Sequence, residues 1–408
     1  MNRPSSDSAH KPSALFLSAE APYPMAGGGA IRSASLLEYL ASKFAVHGIF
    51  FRQPGEPDPA DAIPPGLLKR ADVVDLPYHS MRRGARLLRN ARRLAKNRPP
   101  LLDRFSGFEP AVEKLVAGCQ YEIAMVEHFW TAPYAEILRG HTRHLILDLH
   151  NVESAWHDSM ADSERGLAAL AYRRFARSAL DLECRWLPRF DGILAPSGSD
   201  VALVSAMVPG AQVWVYPNAL PYVPPPPRAE RLEIVFSGNL AYPPNIQAVQ
   251  FFHAKVWPAL QSRWPELRWK ILSKNPGAIY RLAIGDPRIE LTGFVEDAIA
   301  VLAQSQVAIV PLLAGSGTRI KILEAWAART PVVSTHLGAE GLECRDREHL
   351  LLADDAESFT AAVSELLALP DDRARIGAAG RRLYEERYTW QAAWKALDSV
   401  LTGLARDL

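Results

Sequence analysis

Cysteine is scarce in this chain, and an excess of charge of either sign is absent. Its 408 residues include three cysteines, Cys119, Cys184 and Cys344, far apart and odd in number. They offer neither the paired spacing of a metal site nor a disulfide framework, a pattern that fits a reducing compartment. Lys and Arg number 46 against 45 Asp and Glu, a formal charge of +1. No overall field therefore favours nucleic acid. No run approaches the roughly 18 apolar residues that a membrane span needs. The segment 1–13 is polar, without the apolar stretch of a signal peptide. The expectation is a cytoplasmic protein, with any membrane contact peripheral, at the inner face of the plasma membrane. What is present is ordinary for a globular protein, 48% apolar and 22% charged residues, in a chain long enough for two or three cores.

Strand and helix patterns alternate. Apolar runs at 14–18, 45–51, 73–76, 122–126, 145–149, 192–195 and 213–216 predict strands, with a helix over about 31–43 and one long helix over 163–187. The run Pro224–Pro227 can neither join a sheet nor continue a helix, so it reads as a linker. Beyond it the alternation restarts with strands at 233–237, 269–272, 289–292 and 307–310, and the chain from 356 onward is helical. The fold class is α/β, with two doubly wound Rossmann-like domains facing a cleft. The expected domain boundaries are 1–222 and 223–386, with a last helical stretch at about 387–408. Ligands of such sheets sit at the carboxyl ends of the strands.

The most informative stretch is Gly315-Ser316-Gly317-Thr318-Arg319-Ile320-Lys321-Ile322-Leu323-Glu324-Ala325. It lies between two apolar runs and reads as a glycine turn opening a helix, with Thr318 as its N-cap. A strand, a glycine turn and a helix N-terminus together make an anion site. Arg319 and Lys321 place two cations in the first turn, where they oppose the helix macrodipole unless an anion binds. Glu324, three residues after Lys321, shares its face and can accept from ribose hydroxyls. The combination suits a nucleotide diphosphate. A second glycine loop, Gly27-Gly28-Gly29, follows the first strand. Arg32 lies one turn into the helix after it, where it would reach an anion or form an exposed surface charge. His150 and His128 follow strand-like runs, with Glu127 and Glu153 as further acid or base candidates.

Several segments in order resemble retaining glycosyltransferases of the GT-B architecture, in particular the bacterial exopolysaccharide-associated sugar transferases. They are Phe236-Ser237-Gly238-Asn239-Leu240 with Pro244-Asn245, Leu291-Thr292-Gly293-Phe294-Val295-Glu296-Asp297, and Gly315–Ala325 with Pro331-Val332-Val333. Asp191-Gly192-Ile193, Pro196-Ser197 and Pro217-Asn218 in the first half are similar to the family's strand and linker segments. The resemblance implies transfer of a sugar from a UDP- or GDP-type nucleotide sugar to a saccharide or lipid-linked acceptor. It implies that the last helix, about 387–408, crosses back to join the first domain, and it implies no cofactor and no metal. It assigns the diphosphate to Lys321 and Arg319, the ribose to Glu324, the phosphates or acceptor to Gly28 and Gly29, and the transferred sugar to His150. The donor side would also include Gly238, Asn239, Gly315, Ser316, Gly317 and Thr318. Many relatives carry a second glutamate where this chain has Ser316, and Arg and Lys where it has Asn239 and Asn245. These departures concentrate the phosphate-binding charge on Arg319 and Lys321. A nucleotide-sugar epimerase and a non-catalytic nucleotide-binding subunit are the alternatives on the same scaffold.

The segment Arg82–Arg98 holds eight basic residues and no acid. Arg82, Arg86, Arg89, Arg93 and Lys96 fall on one helical face and Leu87, Leu88, Ala91, Leu94 and Ala95 on the other. The pattern fits a helix packed on the core through its leucines, or an interfacial helix on anionic lipid.

Overall fold

The computed structural model describes residues 11–25, 27–80, 82–314 and 320–406. Seven parallel strands form the first sheet: β1 (Ser13–Ser18), β2 (Ala45–Arg52), β3 (Arg70–Asp75), β4 (Tyr121–Glu127), β5 (Thr142–Asp148), β6 (Gly192–Ala195) and β7 (Val213–Val215). Their order is β3-β2-β1-β4-β5-β6-β7. The second sheet has six: β8 (Arg231–Ser237), β9 (Arg268–Leu272), β10 (Ile289–Leu291), β11 (Ser305–Val310), β12 (Val332–Ser334) and β13 (Leu351–Leu352), in the order β10-β9-β8-β11-β12-β13. The central strands are apolar on both faces because helices cover both. Ala14, Leu15, Phe16 and Leu17 of β1 are all fully buried, as expected for a parallel sheet.

The first sheet packs two cores, one on each face. One of them includes Trp390, Ala393, Leu397, Val400 and Leu404 from the helix Trp390–Arg406. The returning helix therefore belongs to the first domain, while Leu220 to Tyr388 contribute to the core of the second. The two chain crossings between domains run side by side. Leu220 N–H donates to Tyr388 O at 2.9 Å, and Trp390 N–H donates to Leu220 O at 2.9 Å. Arg381 Nη2 and the Tyr384 hydroxyl add bonds to the carbonyls of Val223 and Pro221.

Two expectations change. The long helix over 163–187 is two helices, Glu153–Ser163 and Leu167–Trp186. Gly166 breaks them with φ 62 and ψ −136, which a residue with a Cβ strongly disfavours. The buried Glu183 of the second helix then caps the first, accepting from Glu153 N–H at 2.7 Å. The basic segment forms the helix Arg83–Ala95, but none of its residues is buried. Its leucines do not pack on the core. Arg89 donates to Ser80 O and Arg93 pairs with Asp103 at 2.8 Å, so these two arginines turn inward. Leu87 and Leu88 are 70% and 57% exposed.

Candidate functional site

The parallel register puts the carboxyl ends of β1, β4 and β5 in one row, with Ser18 beside Glu127 and Glu127 beside Asp148. Both carboxylates are fully buried, and a buried charge is tolerated only when paired. Arg32, from the helix Gly28–Lys43, supplies the pair. Its Nε donates to Asp148 Oδ2 at 2.7 Å, and its Nη1 donates to Tyr216 O at 2.6 Å and Asn218 Oδ1 at 3.0 Å. Arg32 is thus neither an exposed charge nor a free anion ligand. It is 2% exposed and committed to Asp148. The sequence marks it as basic only, and the strand-end Asp that claims it lies 116 residues away.

His150 sits over this row. Its Nε2 is 3.1 Å from Glu127 Oε2 and 3.4 Å from Asp148 Oδ2. Burial alone would lower its pKa, but hydrogen bonds to Asp148 and Glu127 outweigh it and hold the imidazole protonated up to about 9. Asp148 is held below the usual carboxylate range because Arg32 and His150 outweigh burial. Burial and the neighbouring Asp148 push Glu127 up, with His150 and the Ser33 hydroxyl opposing. His128, with φ 65, lies flat between Trp130 and His150, its ring centroid 4.1 Å from the first and 3.5 Å from the second. Burial and the charge of His150 keep it neutral. Glu127, His128 and His150 each offer one ligand atom within 4.8 Å of the others. The proton on His150 occupies the place a cation would take, so a metal would have to displace it.

Glu153 lies behind this group. Its Oε1 accepts from Trp130 Nε1 at 2.7 Å. Burial raises its pKa to about 7, helped by Glu183 and opposed by the Trp130 bond.

A cavity of about 580 Å³ opens between the two domains. From the first domain it is lined by Gly27, Gly28 and Ile31 at the start of the helix Gly28–Lys43. From the second it is lined by Ser237, Gly238 and Asn239 after β8, by Phe294 after β10, and by Ile320, Lys321 and Glu324. Gly28 packs closely against the opposite domain, since a Cβ there would lie 3.0 Å from Ile320 Cγ1. A Cβ on Gly29 would lie 3.4 Å from His150 Nδ1, so the same loop also touches the histidine. Lys321 and Glu324 sit on the helix Ile320–Ala327. Lys321 Nζ donates to Asn245 Oδ1 at 3.1 Å and stands 5.9 Å above the Phe236 ring. Glu324 Oε2 accepts from Ser237 Oγ at 3.2 Å. Burial raises the Glu324 pKa against the pull of Lys321 and Ser237.

Lys321, Glu324, Gly28, Gly238 and Asn239 thus line one cavity, while Glu127, His128, His150 and Arg32 form one cluster beside its glycine loop. Gly315, Ser316, Gly317, Thr318 and Arg319 lie outside the described residues. Asp148 and Ser33 were given no role by the sequence, and neither were Ser237 and Phe294 within the resembling segments; Phe294 is 67% exposed with Lys274 Nζ 5.0 Å from its centroid. An acid ending an apolar strand was the available signal for Asp148, because burial there demands a partner.

Residues 231–369 match the family described as "Glycosyl transferases group 1". The chain is 34% identical over 104 residues to an MMP alpha-(1->4)-mannosyltransferase of Mycolicibacterium hassiacum, covering 24% of each protein. It is 28% identical over 220 residues to a phosphatidyl-myo-inositol mannosyltransferase of Mycolicibacterium smegmatis, covering 52% of each. These matches span between about a quarter and about half the length of those relatives. Among solved structures, sucrose-phosphate synthase from Thermosynechococcus elongatus superposes with a TM-score of 0.73 at 17% identity, over 97% of this chain and 100% of that one.

Proposed function

We propose, for a chain that has the GT-B architecture and carries a group 1 glycosyl transferase domain over residues 231–369, that it moves a glycosyl group from a nucleotide diphosphate sugar to a saccharide or lipid-linked acceptor, with retention at the anomeric carbon. One observation carries the reading. Lys321 and Glu324 face the Gly27-Gly28 loop, itself the start of a 16-residue helix, across one cavity.

In this mechanism Lys321, with Arg319 two residues before it, holds the diphosphate, and Glu324 accepts from the ribose hydroxyls. The N–H groups that open the helix Gly28–Lys43 bear the positive end of its macrodipole and stabilise charge developing on the leaving phosphate. The His150 imidazolium, kept charged by Glu127 and Asp148, donates to a hydroxyl of the transferred sugar. The acceptor hydroxyl attacks the anomeric carbon as the bond to the diphosphate breaks on the same face. The departing phosphate oxygen takes the acceptor's proton, and no side chain becomes covalently bound. The domains meet at Gly28 and Ile320, and their closure expels water and aligns the substrates.

The test is thermal unfolding with UDP, GDP, dTDP and ADP, on wild type and Lys321→Ala. A nucleotide at 100 times its dissociation constant adds about 2.7 kcal/mol. A shift for one nucleotide, lost in the variant, is expected. No shift with any of the four would overturn the donor site. Donor incubated alone that returned an isomerised sugar would favour the epimerase.

The outward leucines of Arg83–Ala95 support a lipid-linked acceptor at an anionic bilayer. Leu87 and Leu88 are flanked by exposed Arg83, Arg86 and Arg92, the arrangement of an interfacial helix. No helix among the described residues is long and apolar enough to cross a membrane. Contact through this helix would therefore be peripheral, on the inner face of the plasma membrane for a cytoplasmic protein.

A further inference from the structure

A second cavity, of about 400 Å³, lies between the helices Arg83–Ala95, Pro100–Arg104, Glu153–Ser163 and Leu167–Trp186. Leu101, Trp156, Ala171, Tyr172 and Phe175 give it a largely apolar wall. Asn90, Glu153 and His157 interrupt that wall with polar groups. His157 is 3% exposed, and its Nδ1 has no hydrogen-bond partner. An orphaned buried nitrogen is costly unless something reaches it.

Two of the cavity's own side chains also belong to the inter-domain site. Trp156 Nε1 lies 3.4 Å from the hydroxyl of Tyr242, which lines the cleft. Glu153 holds Trp130, which stacks on His128 and through it against His150. The polar end of the second cavity is therefore separated from the sugar-handling cluster by single aromatic side chains. Around the cavity the surface is unusually apolar. Leu167 is 86% exposed, Leu170 65% and Leu101 39%, and Leu87 and Leu88 on the neighbouring helix are exposed as well. Arg174 ties the two leucine-bearing helices together by donating to Leu94 O at 3.2 Å and to Asn97 Oδ1 at 2.9 Å.

We infer that this cavity seats the hydrocarbon chain next to the head group of an amphiphilic acceptor, with the chain leaving past Leu101, Leu167 and Leu170 into the bilayer. The inference rests on the lipid-linked form of the acceptor proposed above. Geometry and charge favour it over a soluble saccharide. The apolar wall offers a sugar few hydrogen bonds, whereas an alkyl or prenyl chain buries apolar surface against it. The arginines flanking the outward leucines match an anionic lipid surface. The hydroxyl or phosphate of the head group would lie at the polar end, within reach of the unpartnered His157 Nδ1.

The probe is n-decyl phosphate below its micelle-forming concentration, titrated calorimetrically against wild type and Ala171→Phe, with inorganic phosphate as the chain-free control. Ala171 is half-buried at the wall, so the added ring fills space that the chain would use. Wild type should bind decyl phosphate more tightly than phosphate, and Ala171→Phe should lose roughly tenfold or more of that affinity. The nucleotide-induced thermal shift should be unchanged in the variant. Equal decyl phosphate affinity in both proteins would overturn the inference, and so would affinity no better than that of phosphate. If Ala171→Phe does not fold, Ala168→Trp, at an exposed position on the same wall, answers the same question. A failure of the donor reading shows separately, as loss of the nucleotide shift in the wild type.

Discussion

At the scale of single residues the site is a balance of buried charges. Arg32 and His150 face Asp148 and Glu127, and each member makes the burial of the others tolerable. Removing one partner of a buried ion pair typically costs about 3–5 kcal/mol, because the other charge is left unpaired. Asp148→Ala should therefore lower the unfolding free energy by about that much, read from chemical denaturation. His150 gives the chain a specific pH dependence. Its ordinary pKa is 6.5, and the folded value is about 9. Between these values the folded chain holds a proton that the unfolded chain has released, so stability falls as pH rises. The contribution is complete below about pH 6.5 and is lost through pH 9. The melting temperature of wild type should drop between pH 6.5 and 9.5 by more than that of His150→Gln. Equal drops would show that the imidazolium is not held as described. Lys321 differs from these groups. It sits on the rim of a cavity, so its loss should remove nucleotide binding while the fold remains.

At the scale of elements, what matters is where helix ends and loops meet. Gly28 opens a helix and packs against Ile320 of the opposite domain. A Gly28→Val side chain would hold the domains apart. Transfer should fall on the order of 100-fold, since a misplacement near 1 Å costs about that much. The nucleotide-induced thermal shift, which reports on the second domain, should persist. Loss of both together would mean that the loop helps bind the donor rather than close the cleft. The helix Arg83–Ala95 makes its own prediction. Arg83→Glu/Arg86→Glu/Arg92→Glu should weaken binding to vesicles containing phosphatidylserine by about 100-fold or more, at about 1 kcal/mol for each charge. Co-sedimentation reads the effect. Equal binding to neutral and anionic vesicles would remove the electrostatic argument for this helix.

At the scale of the whole molecule, two domains are joined by two chain crossings that pair with each other at Leu220 and Tyr388–Trp390. The crossing at Trp390 carries the final helix onto the first domain, where Trp390 is 4% exposed and its indole N–H donates to Ala219 O at 3.2 Å. Trp390→Ala should destabilise the first domain by about 3–5 kcal/mol. In calorimetry its transition should move to lower temperature, while the nucleotide-stabilised transition of the second domain stays in place. A single shifted transition for the whole molecule would show instead that the paired crossings make the domains one cooperative unit.

Sequence alone determined the class of fold. Parallel strands buried on both faces must read as apolar runs, and the candidate donor residues Lys321 and Glu324 stand three apart in the chain, so their shared helix face is legible before any fold is known. The returning helix followed from the family resemblance rather than from periodicity, and the structure seats its apolar residues Trp390, Leu397 and Leu404 in the first domain's core. The tertiary structure decided the rest. Arg32 looks like any surface arginine until β5 brings Asp148 against it. The leucines of Arg83–Ala95 look like a core face until Ser80 and Asp103 hold Arg89 and Arg93 and leave Leu87 and Leu88 outward. His157 and Glu153 gain meaning only when four helices close a cavity around them. Periodicity reports that a helix has an apolar face, but the direction that face points is set by contacts between residues far apart in the chain.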